Sequence, residues 1–371
     1  MSSGATATID LAAVTHNLAL IRRRAGGGRI MAAIKANAYG HGAVRVAKAL
    51  HTADSFALAR VTEASELRAA DIRQPLVLLE GVFDADEMQL AGALDCELVV
   101  HSDYQIDLLA AYGGAPRVVW LKINTGMNRL GFAPSRAAQL ITRLRALASV
   151  AEVRIMSHLA CADGDDSAAQ VLTGRQLSAF RSVIGDFDGA VSIANSAALL
   201  TGDTDTVRAR DGQDPAAHWV RPGIALYGIS PFAARTGADL GLRAAMCLQA
   251  RIIAEHLLQA GDSVGYGARF VAPRQMRIGI VAAGYGDGYP RAMPDGTPVD
   301  VAGQTAVLAG RVSMDMLSID LTGCERVSPG SSVCLWGPQL PAERIAARVG
   351  TIAYELVTCV TARVPRVYRS A

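Results

Sequence analysis

Residues 30–42 read Ile30-Met31-Ala32-Ala33-Ile34-Lys35-Ala36-Asn37-Ala38-Tyr39-Gly40-His41-Gly42. A short apolar run ends on a lysine, and a polar, glycine-bounded segment follows. The run has the length and composition of a strand buried on both faces. Seven further runs of this kind succeed it: Ser55–Arg60, Pro75–Glu80, Cys96–His101, Arg117–Asn124, Glu152–His158, Ala190–Asn195 and Trp219–Leu226. Stretches with helical spacing lie between them, such as Ala43–Leu50, Glu63–Ala70, Ser102–Ala111, Ser135–Ala148 and Ser167–Ile184. Eight strands alternating with helices predict a (β/α)8 TIM-type barrel over residues 9–235. Pattern alone does not close a sheet, so an open doubly wound sheet is the alternative.

Upstream, Asp10 is placed to cap a helix that buries Leu11, Val14, Leu18 and Ile21, and Gly26–Gly28 end it. Beyond about residue 235 the texture changes to short strands punctuated by Gly and Pro. These are Cys247–Ile253, Ser263–Tyr266, Arg277–Val281, Val299–Ala302, Thr305–Leu308, Met314–Leu321 and Ser332–Trp336, with a late helix near Pro341–Val349. Residues 236–371, with residues 1–8, are read as a β-rich domain. The polar stretch Thr201–Pro215 reads as a surface loop on the barrel.

Composition narrows the function classes. The chain has 371 residues, enough for two domains, and 51% are hydrophobic. A formal charge of +2 with interspersed signs argues against nucleic-acid or membrane binding. There is no apolar run long enough to span a bilayer, and the first ten residues do not resemble a signal peptide, so a cytoplasmic location is expected. The six cysteines are scattered without a Cys-x-x-Cys pair, which speaks against a disulfide framework or a metal site. Most are expected to be buried small hydrophobes.

Lys35, Lys48 and Lys122 are the only lysines among 36 Lys and Arg residues. Arginine cannot lose its proton or form a Schiff base; lysine does both. Lys48 reads as an ordinary helix-surface residue. Lys35 and Lys122 stand at the ends of predicted strands, and in a barrel chemistry sits at those ends. The sixth strand ends in His158-Leu159-Ala160-Cys161-Ala162-Asp163, the seventh in Ala194-Asn195-Ser196-Ala197-Ala198, and the eighth carries Arg221-Pro222-Gly223-Ile224. Polar groups in or beside apolar strands are costly unless paired or used. Lys35 emerges from an apolar strand, where desolvation frees its amine. Ser196 and the Gly223-Ile224 backbone lie where such barrels bind phosphate, although Ser196 reads equally as a helix N-cap. A lysine and a phosphate cup at one mouth suggest pyridoxal phosphate. Cofactor-free Schiff-base aldolases share that layout.

The string Lys35 to Gly42 resembles the cofactor-lysine signature of the alanine racemase family. Lys122 to Gly131, His158 to Asp163, Ala194 to Ala198, Arg221 to Pro231, Val264 to Phe270 and Gly310 to Asp315 match in order, as do Gly284 to Gly288 and Tyr354-Glu355. The resemblance spans nearly the whole chain. It implies a barrel followed by a β domain, assembled as a head-to-tail homodimer with shared active sites. It also implies racemisation of alanine with pyridoxal 5'-phosphate bound to Lys35. Tyr39, Ser196, Gly223, Ile224 and Tyr354 would hold the phosphate. Arg129 would bond the phenolic oxygen and help bind substrate, and Arg221 would face the pyridine nitrogen. Tyr266 and the Met314 backbone would come from the partner's β domain, and Tyr285 and Tyr354 would narrow the entrance. Racemisation needs two acid/base groups on opposite faces of the cofactor. Lys35 would serve one face and Tyr266 the other, assisted by His158 and Arg221. Lys122 would carry a carbamate that positions Arg129.

Three departures stand out: Asn124 where an acid is common, Ser192 where a histidine is often found, and the long Thr201–Pro215 stretch. The competing functions are a serine or broad-specificity racemase, a basic amino-acid decarboxylase, and a non-catalytic pyridoxal-phosphate carrier. Decarboxylases of this fold usually place an acid near the pyridine nitrogen, and carriers lack the β domain. Arg221 and Val264–Gly267 therefore argue against them.

Overall fold

The computed structural model describes residues 4–201 and 214–369, so most of the Thr201–Pro215 stretch lies outside the described residues. Strand β1 (Thr6–Asp10) opens the chain. Asp10 then caps the Leu11–Arg24 helix, its carboxylate accepting from Ala13 N–H at 2.9 Å, and the helix buries Val14, Leu18 and Ile21. Such a cap contributes about 1 kcal/mol.

Eight parallel strands follow: β2 (Arg29–Ala33), β3 (Ser55–Leu58), β4 (Leu76–Leu78), β5 (Cys96–Val100), β6 (Arg117–Lys122), β7 (Val150–Met156), β8 (Val191–Asn195) and β9 (His218–Arg221). β2 pairs with β9, which closes the barrel and removes the open-sheet alternative. Alternation along each strand sorts the core in two. Met31, Ala33, Ala57, Val77, Val99, Trp120, Met156 and Trp219 fill the interior. Ile30, Phe56, Leu58, Leu76, Leu98, Val119 and Ile155 pack among the buried residues of the surrounding helices. This period of two is why these runs are apolar throughout.

The second domain holds β10 (Met246–Leu258), β11 (Ser263–Val264), β12 (Phe270–Val271), β13 (Met276–Val281), β14 (Pro298–Val301), β15 (Gln304–Leu308), β16 (Leu317–Asp320), β17 (Ser332–Trp336) and β18 (Arg366–Arg369). Its main sheet runs β13-β16-β15-β14-β17-β10-β1-β18, and β13 also pairs with β10. β1 therefore belongs to this sheet, antiparallel to β10 and parallel to β18. Among the described residues no helix is long and apolar enough to cross a membrane.

Several expected boundaries shift. The eighth barrel strand stops at Arg221, because Pro222 has no N–H for the ladder, and Ile224–Tyr227 forms a 3-10 turn. Tyr266 lies on a 3-10 turn after β11, and Met314 precedes β16. The Ala353–Thr358 helix was not foreseen. Only Cys96 and Cys324 are buried; Cys161, Cys247 and Cys334 are half-buried and Cys359 is exposed. The expectation that most cysteines are buried fails for that reason.

Candidate active site

Directly after β2 the backbone takes an unusual turn. Ala36, Asn37, Ala38 and Tyr39 have φ of 51°, 53°, 53° and 52°. Left-handed helical residues other than glycine cost about 1–2 kcal/mol each, so the turn must be held from outside. Glu63 does this at its start, accepting from Ala36 N–H at 2.6 Å and, through its other oxygen, from Ala59 and Arg60 N–H. Asn37 Oδ1 accepts from Ala43 N–H at 2.8 Å, and His41 Nδ1–H donates to Tyr39 O at 2.8 Å. Burial holds His41 neutral, with its pKa lowered to about 4.

The turn delivers Lys35 and Tyr39 to a cavity of about 560 Å³ at the C-terminal mouth of the barrel. Lys122, Arg129, His158, Ser196, Arg221, Gly223, Ile224 and Tyr354 line the same cavity. Seven of these residues come from four strand ends and the loops that follow them; Tyr354 comes from the Ala353–Thr358 helix of the other domain. Its ring stands 6.1 Å from that of Tyr39, which in turn packs 4.9 Å from Tyr227.

Ser196 is not the cap of its helix. Asn195 Oδ1 accepts from Ala198 N–H, while Ser196 Oγ reaches across to β9 and accepts from Gly223 N–H at 2.9 Å. A Cβ on Gly223 would meet the Tyr39 hydroxyl at 2.4 Å, so glycine leaves room there for the phenol. Burial raises the Tyr39 phenol to about 12 and pushes Tyr354 up as well, so both remain O–H donors. Three hydroxyls and a buried amine in one cavity match the donors a phosphorylated aldehyde needs. The residues fit pyridoxal phosphate.

The mouth is crowded with positive charge. Burial and Arg129 lower the Lys35 pKa. Burial, Arg221, Arg129 and Lys35 bring Lys122 down to about 8. His158 falls well below its ordinary value through burial and Arg221. Arg221 is buried; NH1 donates to Ser192 Oγ at 2.5 Å, and NH2 donates to Ser157 O and to His158 Nδ1 at 3.2 Å. Burial lowers even its guanidinium to about 10. Ser192 Oγ passes its own proton to Trp219 O at 2.7 Å, so the departure at this position still anchors the arginine. Asn124 is engaged by its own loop: its Oδ1 accepts from Gly126 and Asn128 N–H, both at 3.0 Å.

Tyr266, Tyr285 and Met314 do not line the cavity of their own chain. They stand on the β domain with 71%, 38% and 53% of their surface exposed. Gly265 and Gly267, at φ 78° and 76°, flank Tyr266 on its turn. Reasoning from sequence overlooked Glu63 and Ser157. The first had a signal, an acid three residues after a predicted strand end; a carbonyl ligand such as Ser157 O has none.

Comparison with known proteins agrees with this geometry. Residues 9–231 match the family model described as "Alanine racemase, N-terminal domain", and residues 245–368 match "Alanine racemase, C-terminal domain". An alanine racemase of Azoarcus sp. is 49% identical over 98% of this chain and 99% of its own. One from Nitrosococcus oceani is 48% identical over 97% and 98%. The crystal structure of the biosynthetic alanine racemase from Pseudomonas aeruginosa superposes with a TM-score of 0.91 at 46% identity, covering 99% of this chain and all of the other.

Proposed function

The chain belongs to the alanine racemase family, interconverting L- and D-alanine with pyridoxal phosphate, and from that premise we propose that its two proton-transfer groups are Lys35 and Tyr266 of the partner subunit. The observation that carries this reading is a contrast in placement. Lys35 is held in the barrel mouth, whereas Tyr266 projects from the β domain with most of its surface exposed and does not line that cavity in its own chain. A phenol that serves a shared site must leave its own subunit.

Bound in the cavity, pyridoxal phosphate supplies an electron sink that makes the α-hydrogen of the amino acid acidic. Lys35 would hold it covalently; Tyr39, Ser196, Gly223, Ile224 and Tyr354 would hold its phosphate, and Arg129 its phenolic oxygen. Arg221 can only donate, so beside the ring nitrogen it would keep that atom unprotonated. That choice weakens the sink and restrains competing bond cleavage. Burial and Arg129 favour the neutral amine of Lys35, which is the form that accepts a proton. His158 Nδ1 accepts from Arg221, so its remaining proton sits on Nε2 and is available to a phenolate. Across a shared site that Nε2–H would donate a hydrogen bond to the hydroxyl of Tyr266 of the partner subunit. Lys122, lowered to about 8, keeps a neutral fraction able to add carbon dioxide. The carbamate would replace a repelling cation by an anion beside Arg129. Tyr354, with Tyr285 and Met314 of the partner subunit, would crowd the substrate side chain and favour alanine over larger amino acids.

Subunit mixing tests the shared site. Lys35→Ala and Tyr266→Phe homodimers should each be nearly inactive. Re-equilibrated at equal ratio, they should recover about a quarter of wild-type activity, because each mixed dimer restores one complete site. No recovery, despite mixed dimers shown by mass, overturns the assignment.

A further inference from the structure

Cys247 and Cys334 lie on the neighbouring antiparallel strands β10 and β17, with their Sγ atoms 3.5 Å apart. Both are half-buried, and neither lines the barrel-mouth cavity. The β10–β17 ladder shifts register between Leu248 and Gln249, next to the pair. Gly337 stands directly over both sulfurs: a Cβ there would be 3.0 Å from Cys247 Sγ and 3.2 Å from Cys334 Sγ. Two thiols already in van der Waals contact need to approach by only about 1.5 Å to reach the disulfide bond length of about 2.05 Å.

We propose that Cys247 and Cys334 form a peroxide-reactive dithiol that closes to an intramolecular disulfide. The oxidant is a hydroperoxide. The Cys247 thiolate attacks the peroxide oxygen; an S–O bond forms, the O–O bond breaks, and water or an alcohol leaves after taking up a proton. Cys334 sulfur then attacks the sulfenic sulfur of Cys247; the S–S bond forms, the S–O bond breaks, and water leaves. The two thiols lose two electrons and two protons, and the peroxide is reduced by the same two electrons.

The order of attack follows from the local groups. Either sulfur can donate to the other across this contact, and Arg369 near Cys247 favours the thiolate there, against burial and the Asp300 carboxylate. The same bond, burial, the Cys247 charge and Asp300 push Cys334 up. Cys247 is therefore the attacking sulfur and Cys334 the resolving one. The bond would tie positions 87 residues apart, removing freedom from the unfolded chain.

The test uses the reduced holoenzyme treated with hydrogen peroxide at an equimolar dose, then alkylated and mapped by peptide mass. The expected product is two hydrogens lighter, with Cys247 and Cys334 joined and the other four cysteines alkylated. Cys247 should be consumed about tenfold faster than the exposed Cys359. In Cys334→Ser a sulfenic-acid trap should label Cys247, and the oxidised wild type should melt higher than the reduced one. Recovery of both Cys247 and Cys334 in alkylated form, with Cys359 or Cys161 oxidised first, overturns the proposal. That outcome is read on the wild-type protein and does not depend on a variant folding.

Discussion

Along β7 and just beyond it, alternate positions run Arg154, Met156, His158, from the floor of the barrel to its mouth. The cations at the two ends are treated in opposite ways. At the floor Arg154 bonds both oxygens of Glu152 at 2.7 Å and both oxygens of Glu97 at 3.2 and 3.3 Å. Its guanidinium lies 5.3 Å from the ring centroids of both Trp120 and Trp219, and Trp120 Nε1–H donates to Glu97 at 2.7 Å. At the mouth, among the described residues, no salt bridge joins Lys35, Lys122, Arg129 or Arg221 to a carboxylate; the nearby Glu80 is paired with Arg60 instead. Burial opposes the charge on Arg154 too, yet Glu152 and Glu97 outweigh it and raise its pKa. At the mouth burial wins and the pKa values fall.

Both pKa values of the pair rise, which favours the charge on Arg154 but opposes that on Glu97, whose carboxyl burial raises even with Arg154 beside it. The floor pair is thus not a large net gain, but removing one partner strands the other. The comparison teaches a division of labour. The floor is neutralised within the chain, whereas the mouth stays short of negative charge until anionic groups arrive. Cofactor phosphate, the proposed carbamate and a substrate carboxylate would each meet that need.

Four measurements can break or sharpen this contrast. The largest effect belongs to Lys35→Ala, which should lower kcat/KM by at least about 10⁴-fold and abolish the borohydride-reducible absorbance band. Its melting temperature should hold, since a crowded cation is gone; a fall in stability like that of a floor variant would erase the distinction. Next comes Glu97→Ala, expected to cost about 3 kcal/mol in denaturant unfolding while kcat stays within about twofold. A comparable loss of kcat would mean the floor also tunes the site.

The third is a pH dependence. Lys122 titrates near 8 in the fold against 10.5 ordinarily. Between those values the unfolded chain binds more protons, so this group's contribution to stability rises from pH 8 to 10.5; it is lost as pH falls from 10.5 to 8 and is flat below that. In cofactor-free protein and carbonate-free buffer, Lys122→Met should therefore be more stable than wild type by about 3 kcal/mol at pH 7, and the advantage should vanish toward pH 10.5. A constant difference across that window contradicts the buried-cation account. Smallest is Ser192→Ala. Removing one acceptor from Arg221 should cost about 1 kcal/mol, roughly fivefold in kcat/KM, with KM and kcat both reported; no change would show that Ser157 O and His158 suffice.

Much of this was legible from residue order. Alternation in Trp120–Lys122, Met31–Ala33–Lys35 and Trp219–Arg221 already put cations on the same strand face as interior core residues. Scarcity of lysine marked Lys35 and Lys122. Boundaries were legible where a breaker stood, as at Gly26, and failed where apolar residues ran past the strand, as at Ile224–Leu226. The left-handed turn after Lys35 was not legible, because Ala36 and Ala38 carry no local preference for φ near +52°, the tolerance of Asn37 alone does not specify four such residues, and the turn depends on Glu63 from the next unit.

By itself, then, the order of residues determined the alternating strands and helices, the change of texture after residue 235, and which side chains could do chemistry, since these follow from periodicity and functional-group type. Closure of the sheet, the crossing of Ser196 to Gly223, the arrival of Tyr354 from the second domain and the exposure of Tyr266 were decided only by tertiary structure. Each joins groups far apart along the chain, and hydrophobic periodicity is silent about which distant groups will meet.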